Sequence, residues 1–257
     1  MNAWRSIIMA FSMFSSIPMP AIEWKPQNQR YMMAAFPLVG IVIGACLALW
    51  CWACFKLGVG SVFTAAGITV LPILLSGGIH MDGFCDVADA QGSNATFERK
   101  REILSDSRSG AFAVFSVGIY LISYLGVATE LPLGMRSVAL LALIPVYSRV
   151  MSGIATLVLP KSTDDGMLSS FSFSAKTRIT VAILLGWAFV CVAAALAASA
   201  PCGFAVVATG LIGFAAFWRF AREQFGGISG DLAGAFLQVL ELAMLLDLVL
   251  TLKLVGL

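Results

Sequence analysis

The sequence predicts an all-α fold: a polytopic transmembrane helical bundle of about seven spans, formed as a single integral membrane domain over residues 1–257. Three observations carry this expectation. Hydrophobic residues make up 60% of the chain and charged residues only 12%, with a mean hydropathy of +0.93, which is outside the range of water-soluble domains. Apolar runs of about 20 residues recur, each enough to cross a hydrocarbon core roughly 30 Å thick as a helix. Runs such as Val181 to Ala198 are apolar on every face, whereas a membrane β-barrel alternates apolar and polar residues in segments of about ten.

Taken in chain order, Ala3 to Ile17 has one arginine, Arg5, within an apolar stretch that ends at Pro18 and Pro20. It lacks a small-residue cleavage site and is expected to be retained. Being short for a crossing, it reads as a half-span, a re-entrant piece or an interfacial helix. The expected spans are Tyr31 to Phe55, Ser61 to Ile79, Ala111 to Thr129, Ser137 to Leu159, Ile179 to Ser199, Phe204 to Trp218 and Leu232 to Leu252. Cys51 and Cys54 have C-x-x-C spacing but fall inside the first of these, so they read as packing residues, and nothing implies disulfides among the six cysteines. Neither the net charge of +2 nor any basic stripe with interleaved aromatics points to nucleic acid.

Threading the chain through these spans collects Arg5, Lys25, Arg30, Arg99, Lys100, Arg101, Arg108, Lys161, Lys176, Arg178, Arg219 and Arg222 on one side. Lys56, Arg136 and Lys253 fall on the other, and Arg149 lies within a span. The positive-inside rule makes the first side cytoplasmic. The polar connections Gly77 to Gly110, Pro160 to Arg178 and Arg219 to Asp231 share that face, so chemistry is expected at one cytoplasmic mouth of the bundle. No tandem repeat relates two halves of the chain, which weighs against the inverted-repeat design of many secondary transporters.

The segment 77–110 is the acidic catalytic candidate. In Gly77-Gly78-Ile79-His80-Met81-Asp82-Gly83-Phe84-Cys85-Asp86-Val87-Ala88-Asp89, a helical conformation sets Asp82, Asp86 and Asp89 at i, i+4 and i+7, on one stripe. Like charges so placed repel unless a cation joins them. Hard oxygen ligands with few nitrogen or sulfur neighbours suit Mg²⁺, with Mn²⁺ as an alternative. Downstream, Glu98 and Glu102 among Arg99, Lys100 and Arg101 read as a solvated helix with internal ion pairs. Asp106, in Asp106-Ser107-Arg108 where the chain re-enters the membrane, reads equally as a solvated loop residue or as a carboxylate returned to the stripe, with Arg108 beside it for phosphate oxygens. His80, the only histidine, reads either as a hydrogen-bonded structural residue or as a proton-transfer group. Gly226-Gly227-Ile228-Ser229-Gly230-Asp231 opens the last span; its amides would meet a phosphate, or its glycines only permit a tight turn. Within that span Glu241 is a better functional candidate than Asp247.

These motifs resemble the cobalamin synthase (adenosylcobinamide-GDP ribazoletransferase) family. Gly77 to Asp89 is similar to its G-G-x-H-x-D-G-x-x-D-x-x-D pattern, and Asp106 to Phe112 to its D-S-R-x-G-A-F. Phe14 to Pro20 is similar to its N-terminal proline segment, Phe36 to Gly40 to its F-P-L-V-G, and Gly226 to Asp231 to its G-G-x-T-G-D. Ala113, and Ala90-Gln91 ahead of Gly92, depart from positions where the family more often has glycine. The resemblance implies an enzyme of the bacterial cytoplasmic (inner) membrane that joins adenosylcobinamide-GDP to α-ribazole or its 5′-phosphate and releases GMP. It implies Asp82, Asp86, Asp89 and Asp106 as Mg²⁺ ligands, Arg108 as a phosphate contact, and His80 or one aspartate as the base. Gly226, Gly227 and Asp231 are the candidate substrate-binding turn. Implied partners are the two substrates and the lipid bilayer, with a homo-oligomer left open. Two alternatives stand beside this reading. A CDP-alcohol phosphotransferase needs Ala-Arg three residues after its D-G, where this chain has Cys85-Asp86. An ion or metabolite transporter needs acidic residues near the bilayer midplane, where only Glu241, Asp247 and Arg149 are embedded candidates.

Overall fold

The computed structural model describes residues 3–106, 108–162 and 177–256. Among them every regular element is a helix: α1 (Ala3–Phe14), α2 (Pro26–Gln29), α3 (Met32–Leu57), α4 (Ser61–Leu75), α5 (Ile79–Gly92), α6 (Phe97–Leu104), α7 (Ala111–Thr129), α8 (Met135–Val158), α9 (Thr177–Ala198), α10 (Ala200–Phe225) and α11 (Gly230–Leu254). Six of these, α3 and α7 to α11, are long and apolar enough to cross a membrane; α4 and α5, bent by 93° at their junction, add a seventh when the pair is taken as one span. At 12 residues, α1 is about 18 Å long, short of a crossing. It packs instead beside α3, where Met9 and Ala10 meet Met32, Met33 and Phe36.

The buried centre is built from α3, α8 and α11. Gly40 and Gly44 of α3 stand where any Cβ would strike the backbone of Pro145 and Ala142 of α8, so small residues at four-residue spacing let two helix backbones meet. Peripheral α7, α9 and α10 turn Phe115, Ile119, Leu185, Phe189, Leu211 and Ile212 outward, the surface expected against lipid. Several polar groups inside the bundle pair with one another. Arg149 of α8 pairs with Glu241 of α11 at 2.8 Å, Ser148 donates to Glu241 at 2.7 Å, and Tyr120 donates to Gln238 at 2.6 Å.

The connections sort to two ends. At one, Ser16 donates its N–H to Leu75 at 2.9 Å and Ile228 donates to Pro160 at 2.8 Å, bringing together the segments before α3, after α4, after α8 and before α11. At the other, Lys253 pairs with Glu130. Helix α4 therefore runs antiparallel to α3. The expected span to Ile79 ends earlier, at Leu75, because Gly77 and Gly78 take φ of +67° and +75°, a region that glycine enters without a Cβ penalty. Beyond this turn α5 lies at 93° to α4, across the end of the bundle. Of the connection expected from Pro160 to Arg178, residues 163–176, including Lys176, lie outside the described residues, as does Ser107.

Candidate active site

Helix α5 carries the acidic stripe that its spacing anticipates. Asp82 is exposed, Asp86 half-buried and Asp89 buried. Between the first two, Gly83 packs on the start of α11: a Cβ there would lie 2.7 Å from the Cα and carbonyl oxygen of Asp231. The missing side chain thus lets α5 and α11 touch and sets Asp231 among the α5 carboxylates. The electrostatic result falls on Asp86, whose pKa is pushed up to about 6 by burial first and then by Asp231, Asp82 and Asp89. Among the described residues no three His, Cys, Asp or Glu side chains converge as a ready-made ion cage.

The other predicted ligands are held differently. Asp89 accepts from the backbone N–H of Gly110 at 2.5 Å and of Ala113 at 2.8 Å. It is a buried cap on the first turn of α7, satisfying donors that a helix start leaves open. Gly110 is small by necessity, since its Cβ would sit 2.7 Å from an Asp89 oxygen. Asp106 is gripped by Arg108, whose backbone N–H, Nε and Nη2 donate at 3.1, 3.0 and 2.8 Å, and this holds its pKa down to about 2. Asp106 is not among the charges that raise Asp86. The structure therefore assembles Asp82, Asp86 and Asp231, leaves Asp89 beneath them as a cap, and keeps Asp106 with Arg108 at the exposed loop.

His80 is 5% exposed, stacked on Phe14 with ring centroids 6.2 Å apart and tilted against Phe36 at 5.7 Å. Gly234 packs on its backbone, and its Nε2 has no hydrogen-bond partner among the described residues. Burial and the nearby Arg149 both disfavour its protonated form. It faces the bundle, away from the solvent-facing stripe.

The glycine turn serves the chain itself. Gly226, at φ +71°, ends α10, and its N–H donates to Arg222 while that of Gly227 donates to Ala221, both at 3.1 Å. A Cβ on Gly227 would stand 2.6 Å from the carbonyl carbon of Lys161, so the close neighbour is the 160–162 segment. The amides of Gly226, Gly227 and Ile228 are engaged within the chain. Ser229 caps α11 by accepting from Leu232 at 3.2 Å.

One residue escaped sequence reasoning. Lys100 is 8% exposed and donates to Gln91 at 3.1 Å and Gln224 at 2.8 Å, while its neighbours Arg99 and Glu102 form the expected exposed pair. The available signal was Phe97, Ile103 and Leu104 at helical spacing around it.

The cobalamin-5-phosphate synthase family model matches residues 6–250. The chain belongs to this family. Its relatives include proteins named adenosylcobinamide-GDP ribazoletransferase from Lachnoclostridium phytofermentans, 38% identical over 92% of this chain and 90% of that protein, and from Clostridium perfringens, 36% identical over 93% and 94%. A third, from Geobacillus kaustophilus, is 34% identical over 92% of each. No solved structure matches the chain. Cobalamin-5-phosphate synthase membership spans the whole acidic end of the bundle, from Ser16 through Asp231.

Proposed function

We propose that this protein joins adenosylcobinamide-GDP to α-ribazole or α-ribazole 5′-phosphate, giving adenosylcobalamin or its 5′-phosphate and GMP. Family membership supports the substrates. The observation that carries the chemistry is the close approach of α11 at Asp231 to α5 at Gly83, which brings the charges of Asp231 and Asp82 to bear on Asp86 and helps push its pKa up to about 6. A cluster in which neighbouring charges help raise Asp86 and Asp231 is suited to a divalent cation. Mg²⁺ commonly uses one or two carboxylates, several waters and substrate phosphates, so a three-residue cage is not required. Asp82 and Asp86, with Asp231 adjacent, would hold Mg²⁺ (or Mn²⁺), which when bound neutralises diphosphate charge and the charge growing on departing GMP.

The products fix the bond changes. A ribose hydroxyl oxygen attacks the phosphorus nearer the corrinoid, the bridging P–O bond breaks, and GMP leaves with that bridging oxygen. The hydroxyl proton passes to an aspartate of the cluster, since His80 is buried away from it. Arg108, exposed beside Asp106, would donate its remaining N–H groups to phosphate oxygens. The basic residues at this end favour a cytoplasmic face of the bacterial inner membrane. The transporter alternative loses support because the embedded carboxylates are engaged, Glu241 by Arg149 and Asp247 by Thr209 at 2.7 Å.

The test is purified protein in liposomes with adenosylcobinamide-GDP, α-ribazole 5′-phosphate and Mg²⁺. GMP and a corrinoid carrying the lower nucleotide loop are expected in equal amounts. Absence of both, with folded protein and Mg²⁺ or Mn²⁺ present, overturns the assignment.

A further inference from the structure

The opposite face of α5 borders a second feature. Phe84, Val87, Ala88 and Gln91 recur at i, i+3, i+4 and i+7, on the side of the helix away from Asp82 and Asp86. They form one wall of a cavity of about 680 Å³, closed by Phe112 of α7, Phe217 and Phe220 of α10, and Phe236 of α11. Helices α7 and α10 pack on α11 but hardly on each other, so the cavity opens sideways between them. Two of its lining residues, Phe112 and Val239, are 49% and 53% exposed at that opening.

Gln91 lines this groove at the C-terminal end of α5, and Lys100 lies directly behind it. Lys100 is buried, forms no ion pair among the described residues, and is held only by the neutral oxygens of Gln91 and Gln224 and by the Phe225 ring 6.0 Å away. An ammonium has three donors, and two are used. Gln91, which also lines the groove, gives its oxygen to Lys100 and leaves a buried Nε2 with no partner. A buried cation without an anion, one hydrogen bond behind the lining residue Gln91, and the idle N–H donor of Gln91 are costly alone. They complement an anion carrying a hydrocarbon tail, and basic recesses between helices at the cytoplasmic side recognise anionic headgroups.

We propose that this groove seats one anionic glycerophospholipid, an acyl chain lying between α7 and α10 and the headgroup phosphate meeting Lys100 and Gln91. The lipid ties α5, α6 and α10 together behind the carboxylate cluster without entering it. The proposal stands apart from the transferase reading, because its readout is lipid retention and not turnover.

The test is native mass spectrometry of protein extracted from vesicles of equal phosphatidylglycerol and phosphatidylcholine. Wild type is expected to retain one phosphatidylglycerol per chain in preference to phosphatidylcholine. Lys100→Met should reduce that retention about tenfold, the scale of one charge-assisted contact. Ala216→Phe, which fills the apolar wall, should exclude the chain while leaving Lys100 in place. Equal retention of the two lipids by wild type overturns the proposal, as does release of bound phosphatidylglycerol by adenosylcobinamide-GDP or α-ribazole 5′-phosphate. If Lys100→Met fails to fold by circular dichroism, undiminished phosphatidylglycerol binding by Ala216→Phe overturns it alone.

Discussion

Asp86 is the residue on which the chemistry is most exposed to test. Asp86→Asn keeps the shape of the side chain and removes its charge, so turnover should fall by about 100-fold or more with helical circular dichroism unchanged; GMP release near the wild-type rate would take Asp86 out of the site. Its titration gives a second expectation. The folded protein holds this proton more tightly than the unfolded chain, since the pKa rises from the ordinary 3.8 to about 6. Metal-free protein therefore loses stability as pH climbs through that window, and a cation that replaces the proton restores it above the window. Mg²⁺ should raise the melting temperature at pH 7.5 and have little effect at pH 5, and a shift of equal size at both would refute cation binding at this carboxylate. Asp89 belongs to a different class. Asp89→Ala uncaps α7 and should cost about 1–2 kcal/mol of stability in detergent, with Asp89→Asn milder because its amide oxygen still accepts from one N–H.

At the scale of elements, the placement of α5 against α11 is what gathers the carboxylates. Gly83→Leu forces a side chain into the backbone of Asp231 and should slow turnover while the chain still inserts, with a smaller effect for Gly83→Ala. Gly227→Val meets the backbone of Pro160 and Lys161, so a stability loss of about 1–3 kcal/mol is expected, with the KM for adenosylcobinamide-GDP little altered; a raised KM at unchanged melting temperature would restore a substrate role to this turn. These two glycines mark where sequence reasoning stops. The acidic stripe of α5 was legible because its order is set by local helical spacing, and the spans because apolar length is a property of the segment alone. The bend after Leu75 depends on two successive left-handed glycines, and a Gly-Gly pair does not say which way the chain will turn. Gly227 and Asp231 take their roles from neighbours at Lys161 and Gly83, far along the chain, which no spacing rule reaches. Lys100 was misjudged for the same reason, since its partner Gln224 lies on another helix.

For the whole molecule, the sorting of connections into two ends makes orientation measurable. A cysteine placed at Ser93, in a background lacking the native cysteines, should resist an impermeant maleimide added to intact spheroplasts and react once they are opened; ready labelling from outside would invert the topology. The pairing of charges within the bundle has an electrical consequence. Arg149 and Glu241 form a neutral couple, and the cluster of Asp82, Asp86 and Asp231 lies at one end, so the proposed reaction carries no charge through the low-dielectric layer. An elementary charge crossing that layer would couple to a 100 mV potential by about 2.3 kcal/mol, roughly a fiftyfold change in an equilibrium. Proteoliposomes held at opposite potassium diffusion potentials should release GMP at the same rate, as an enzyme that uses the bilayer for support and draws nothing from its voltage.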